Sequence, residues 1–193
     1  MFYPPGVPTL QAFLQQESTL PYSYPEVGKT RQGDKVSGYD NDYNVQVLGQ
    51  GEAVWEAARQ AIRVWRMFPD GWTRIWPETI PIREQELVVM QARVFGWWWI
   101  NSCRIVYTLD TADAFGFAYG TLPGHVEMGE ELFMVEKLPD GTVQYVIKAF
   151  SKPRFWLTRI GYPIARWHQR KFVRDSKAAM LAYVQAAVQN PAV

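Results

Sequence analysis

AFGFAYGTLPGHVEMGEELFMVEKLPDGTVQYVIKAFS, residues 114–151, decides the fold. Side chains alternate through Ala114–Thr121, His125–Lys137 and Thr142–Ser151, and a period of two belongs to strands, whose successive side chains point to opposite faces. Pro139-Asp140-Gly141 and Thr121-Leu122-Pro123-Gly124 separate these runs and are turn signals, so the three strands read as an antiparallel meander. The first strand is lopsided. Phe115, Phe117 and Tyr119 fall on one side, and Ala114, Gly116, Ala118 and Gly120 on the other. A face of small residues lets another backbone or a ligand approach closely, or lets the sheet bend.

Upstream, Glu86–Phe95 and Ile100–Leu109 extend the meander, and unbroken alternation predicts that Cys103, Ile105, Tyr107 and Leu109 share one face. Tyr43–Leu48 alternates as a first strand. Glu52–Met67 follows as a helix with Val54, Ala58, Ile62 and Trp65 at helical spacing, stopped by Pro69-Asp70-Gly71. Trp72–Trp76 suits a short strand closed by Pro77 and Pro81. Beyond Pro153 the pattern is helical to about Val188, with Pro163 at a start or kink and Trp167, Phe172, Ala179, Tyr183 and Val188 as the predicted apolar stripe. Residues 1–42 read as an arm packed on the rest, with Thr9–Glu17 as a short helix capped by Thr9. Residues 43–193 read as one domain. Strand, helix, meander and long terminal helix make an α+β architecture in which a curved antiparallel sheet grips the C-terminal helix. This is the helix-grip arrangement, which often encloses a cavity.

The chain has 193 residues, 48% apolar and 20% charged, with a formal charge of +1. That is globular composition, with no global charge to attract nucleic acid. One cysteine, Cys103, excludes a disulfide framework and a Cys-rich zinc site, and the two histidines form no HExxH pair, so neither metal nor cofactor is expected. The start, MFYPPGVPTL, has no signal-peptide pattern, and the densest apolar run, VFGWWWI at 94–100, is far short of a membrane span. These features and a free thiol point to the cytoplasm.

Five segments carry a further resemblance: YPEVGKTR at 24–31, WRMFPDGW at 65–72, CRIVY at 103–107, FGFAYGTLPGHVEMGEE at 115–131 and RIGYPIARWHQRKFVRDS at 159–176. Together they resemble the uncharacterised family called domain of unknown function 1990, from about Tyr24 to Met180. That family is similar to the START-type, birch-pollen-allergen-like superfamily, whose members commonly hold hydrophobic ligands. The resemblance therefore implies a helix-grip fold with a ligand cavity. No activity is established for the family, so it supplies no catalytic residues.

Several segments carry candidate chemistry, each beside a plainer reading. Tyr107, Phe115, Phe117 and Tyr119, with Trp167 and Phe172 from the last helix, would wall a cavity for a hydrophobic or aromatic small molecule, or else form a filled aromatic core. His125, Glu127 and Glu131 on one strand face, with Glu130 on the other, would suit acid–base chemistry of a cyclase, hydratase or hydrolase, or else are ordinary surface groups. Cys103 reads as a core residue rather than a nucleophile. Gly49-Gln50-Gly51 before a helix reads as a tight turn rather than a phosphate loop. Between Lys152 and Lys177 lie eight basic residues against Asp175 alone. Of these, Arg166, Arg170, Lys171 and Arg174 would meet an anionic membrane surface or acidic partner, or else pair with the acidic sheet. That alternative makes the chain a structural or interaction protein with a basic C-terminal helix. Trp97-Trp98-Trp99 suits either a binding rim or packing under the N-terminal arm.

Overall fold

The computed structural model describes residues 1–33, 35–154 and 162–190. Its elements are α1 (Val7–Glu17), β1 (Asp40–Gln50), α2 (Glu52–Arg63), β2 (Thr73–Trp76), β3 (Leu87–Val94), β4 (Trp97–Asp110), β5 (Ala114–Thr121), β6 (Glu127–Lys137), β7 (Thr142–Pro153) and α3 (Tyr162–Gln189). The strands form one seven-stranded sheet in the order β1-β7-β6-β5-β4-β3-β2, every neighbour pair antiparallel. The sheet is curved around α3, as the alternation and element order predict.

Register shows which side chains share a face. Tyr119 of β5 pairs with Glu131 of β6, which pairs with Ala149 of β7; Phe117, Phe133 and Ile147 form the next rank. These ranks line the concave face. One prediction fails in β4. The pairing steps from Ile105↔Tyr119 to Tyr107↔Ala118, leaving Val106 as a bulge. An extra residue reverses the faces beyond it. Cys103 and Ile105 therefore stay concave, whereas Tyr107 turns to the convex side and packs with Ala118 and Leu132.

Helix α2 buries Trp55, Ala58, Ala61 and Ile62. It ends at Arg63, four residues before the predicted Met67, because Trp65 adopts φ 59° and drops into the core, where its indole Nε1 donates to the Ile80 carbonyl at 3.1 Å. Met67 and Phe68 follow it inward. Together with Met180 and Val184 of α3, they cover Phe117, Phe133, Val135 and Tyr145, so this half of the concave face is solid. Tyr145 and Ser176 share a buried hydrogen bond of 2.9 Å across the sheet–helix seam. The inward stripe of α3 runs through His168, Phe172, Ser176, Met180 and Val184, at intervals of one helical turn. Of the predicted stripe Phe172 belongs to it and Tyr183 packs beside it against the core; Trp167 and Val188 are exposed.

The N-terminal arm covers the convex face. Helix α1 starts at Val7, before the predicted Thr9 cap, with Gly6 as N-cap and Pro8 in its first turn, where a missing N–H costs nothing. The Glu17 carboxylate accepts from Ser102 Oγ at 2.8 Å and from the Gly124 amide at 2.6 Å. Tyr24 lies against the small face of β5, where a Cβ on Gly120 would overlap its hydroxyl. The close approach that the small residues permit is thus made by the arm. Strand β1 begins at Asp40, within the stretch read as arm.

Buried Glu130 fastens this arm. Its carboxylate accepts from the Tyr24 hydroxyl at 2.8 Å, the Gly28 amide at 2.7 Å, the Thr30 amide at 3.0 Å and the Thr30 hydroxyl. Removing such an acceptor strands several buried donors, each costing about 1–3 kcal/mol. Glu130→Ala is expected to lose about 2–4 kcal/mol in denaturant unfolding. Trypsin should then cut faster at Lys29 and Arg31; unchanged cleavage would mean that the arm is held elsewhere.

Candidate functional site

Over its other half the concave face carries small side chains. Ala92, Gly129 and Ala149 project little, and the N-terminal half of α3 presents Ala165 opposite them. The result is a cavity of about 440 Å³ between sheet and helix. Met90, Val94, Trp99, Ile147, Ile164, Phe172 and Val173 form most of its apolar wall.

The predicted wall residues divide. Tyr119 and Phe172 line the cavity. Phe115 and Phe117 lie in the solid half, the Phe117 ring 4.7 Å from Trp65 and 5.7 Å from Phe133. Tyr107, reversed by the bulge, shares a 2.8 Å hydrogen bond with Thr30 on the convex side, under the Arg31 guanidinium. Trp167 is 56% exposed and stacks edge-on against His168. Tyr107, Phe115, Phe117 and Trp167 are therefore not wall residues. The sequence placed them wrongly because one bulge, and the position of α2, are invisible to periodicity.

His125, Glu127 and Glu131 all line the cavity, but not as an acid–base pair. His125 sits in the turn before β6, and its Nδ1 accepts from the Glu127 backbone amide at 2.9 Å. Burial pushes its pKa down to about 4, so the imidazole is neutral with one nitrogen committed. The Glu127 carboxylate instead receives Gln169 Nε2 of α3, 2.7 Å from each oxygen, and burial raises its pKa. Arg166 links this pair to β1, donating to Gln169 Oε1 at 2.7 Å and to the Asp42 carboxylate at 2.6 and 2.9 Å. The first turns of α3 are thereby tied to β1, β6 and β7, with Ser151 Oγ 3.1 Å from Gln169 Nε2.

Glu131 differs. Its Oε2 accepts from the Tyr119 hydroxyl at 3.0 Å, and its second oxygen has no partner among the described residues. Burial pushes its pKa up to about 7, with the charges of Glu127 and Asp42 adding to the effect. A carboxyl near neutrality, beside a phenol in an apolar chamber, can bind a hydrogen-bonding group or exchange a proton.

The structure adds residues that sequence reasoning missed: Trp72, Asn101, His168 and Gln169. His168 lies among Trp72, Phe95 and Trp167, and both ring nitrogens are buried without a hydrogen-bond partner among the described residues. Burial and the nearby Lys171 ammonium lower its pKa. Its signal in sequence was the one-turn spacing to Phe172, Ser176 and Met180.

The remaining candidates resolve more plainly. Cys103 is buried, and burial raises its thiol well above the ordinary range, against a nucleophilic role. Gly49 and Gln50 end β1, paired with Val143 and Thr142, and Gly51, whose amide donates to the Gly141 carbonyl at 3.0 Å, turns the chain into α2. Trp98 is buried beneath Met1, Trp97 stacks on Phe2 at 4.0 Å, and Trp99 reaches the cavity rim. Of the basic residues, Arg166 is spent on Asp42, and Lys171 and Arg174 on Asp175. Arg170 has no carboxylate partner among the described residues, and Arg159 lies outside them. Among the described residues no group of three or more His, Cys, Asp or Glu is placed to hold a metal, and no helix is long and apolar enough to cross a membrane.

The raised Glu131 carboxyl has a measurable sign. A carboxyl whose pKa rises on folding contributes stability below its unfolded value near 4.5 and loses it as pH rises through 7. Glu131→Gln keeps an acceptor for Tyr119. It is expected to unfold at higher temperature than the parent at about pH 8, by on the order of 2–3 kcal/mol, with the gap closing toward about pH 5. Because His125 titrates oppositely and is common to both proteins, only the difference reads Glu131. A gap independent of pH would place the carboxyl in bulk water.

Comparison with known proteins fits this geometry. Residues 23–179 match the family model described as domain of unknown function, DUF1990. A UPF0548 protein of Dictyostelium discoideum is 36% identical over 162 residues, covering 78% of this chain and 75% of the relative. One from Deinococcus radiodurans is 33% identical over 181 residues, covering 89% and 91%. Among solved structures, the hypothetical protein jhp0584 from Helicobacter pylori has a TM-score of 0.52 at 13% identity, over 85% of this chain and 96% of that one. Human STARD10 has a TM-score of 0.48 at 10% identity, over 98% and 85%. At 13% identity the likeness to the Helicobacter pylori protein speaks for the fold alone, whereas the match over residues 23–179 and the sequence relatives speak for descent: the chain belongs to the DUF1990 family.

Proposed function

We propose that this protein binds a hydrophobic small molecule in the cavity between the sheet and the N-terminal half of α3. The observation that carries this reading is a preformed hollow of about 440 Å³ whose wall is apolar and aromatic, with a few placed polar groups. A fold of this size has enough bulky side chains to fill such a space, yet Ala92, Gly129, Ala149 and Ala165 stand where they would go. The Asp42–Arg166–Gln169–Glu127 chain braces the helix above the hollow, which supports a cavity that keeps its shape without a guest. The buried Cys103 thiol supports a reducing compartment, the cytoplasm, as its place of work.

Acid–base chemistry in the same cavity is the second reading, and Glu131 with Tyr119 is the observation that favours it over a plain container. His125 stands apart from that pair: its Nδ1 accepts from the Glu127 amide, which leaves the proton on Nε2.

Ala149→Phe projects a ring into the hollow from the middle of β7. Filling an existing void avoids most of the overpacking cost, so this variant should unfold at or above the parent's temperature. Native mass spectrometry of both proteins purified from cells should find an apolar guest on the parent and none on the variant. The parent should also show a thermal shift with that guest, as ligand binding to the native state requires. A parent that carries and accepts no apolar compound would end the binding reading. Recovery of the guest in chemically altered form would favour the catalytic one.

A further inference from the structure

We infer that the cavity selects a hydrophobic amine: a ligand with an apolar body and one basic nitrogen, held by Glu131 and Glu127. The inference rests on the binding reading above and names the chemistry of its guest.

The charged residues that line the hollow are all acidic: Asp42, Glu127, Glu131 and Glu130, the last with its carboxylate satisfied on the convex side, and among the described lining residues there is no Lys or Arg. Asp42 is neutralised by Arg166 at the β1 side. Glu127 receives the uncharged amide of Gln169 and a hydrogen bond from Ser151, with the Arg166 charge nearby, and Glu131 receives a phenol. Neither inward carboxyl group forms an ion pair among the described residues, and Glu131 keeps one oxygen open to the cavity. An isolated buried carboxylate is costly and gains most from a cation delivered to it in a dry site. Burial already holds both carboxyl groups above their ordinary range, as expected of acids waiting for a counter-charge.

An independent feature points the same way. Trp99 and Tyr119 add aromatic faces, whose negative quadrupole attracts ammonium groups, as the Trp72 ring beside them already holds the Lys171 ammonium at 3.9 Å. A fatty acid would meet the reverse: its carboxylate would enter beside two others with no base to receive it.

The test uses three probes of equal chain length, dodecylamine, dodecanol and dodecanoate, titrated below their micellar concentrations into the full chain near neutral pH and followed by calorimetry. The expected order is amine, alcohol, acid, with the amine at least tenfold tighter than the alcohol. In the Glu127→Gln/Glu131→Gln double variant the amine-to-alcohol ratio should fall to near one. Dodecanoate binding as tightly as dodecylamine would overturn the inference, and so would a ratio that survives in the variant. Should the double variant not fold, the order in the parent decides alone. Dodecanol binding without any preference for the amine sinks the amine and leaves the cavity reading standing; binding of none of the three sinks both.

Discussion

Two adjacent carboxyl groups, Glu130 and Glu131, organise this molecule because a strand sends consecutive side chains to opposite faces. Glu130 points to the convex side and is satisfied by Tyr24, Gly28 and Thr30. Burying a carboxylate is tolerable only with such a set of donors, and all of them come from one segment of the arm. The arm must therefore lie where it does. With the convex face so covered by the arm and its helix α1, the concave face is left for α2 and α3, and Glu131 faces the space they enclose with a single phenolic donor. The contrast between full and incomplete satisfaction separates a structural carboxylate from a candidate functional one.

Whether the concave face is core or cavity depends on what stands opposite it. Near α2 the facing residues are Trp65, Met67, Phe68, Met180 and Val184, and the rings of Phe117 and Phe133 meet them without a gap. One rank further, the sheet offers Ala149 and Gly129 and the helix offers Ala165. The same sheet thus packs solidly at one end and stays open at the other. Polar links rather than apolar packing hold the helix above the open end, since Arg166 and Gln169 span the gap to Asp42, Glu127 and Ser151.

Much of this was legible in the residues. The alternation of 114–151 and its two turns predict three strands and their pairing, and the family motifs YPEVGKTR and FGFAYGTLPGHVEMGEE prove to be the two sides of the Glu130 clamp. The lopsided Ala114–Gly120 strand correctly signalled a close approach, although the partner is Tyr24 rather than a ligand. The site was less legible. Tyr119, Phe172, His125, Glu127 and Glu131 are at the cavity, whereas Tyr107, Phe115, Phe117 and Trp167 are not. Tyr107 was misplaced by a one-residue bulge that alternation cannot report, and Trp167 by a stripe drawn through the wrong helical rows. His168 escaped notice because a lone histidine on a helix has no motif.

The sequence by itself determined the strands, the terminal helix and the family, because these follow from local periodicity, turn chemistry and motif order along the chain. Only the tertiary structure decided which aromatic residues are filler and which are wall, and which glutamate is clamped and which faces the hollow. Those outcomes depend on what lies across a gap of one side chain, brought there from residues tens of positions away, and no local pattern encodes the size or charge of that distant neighbour.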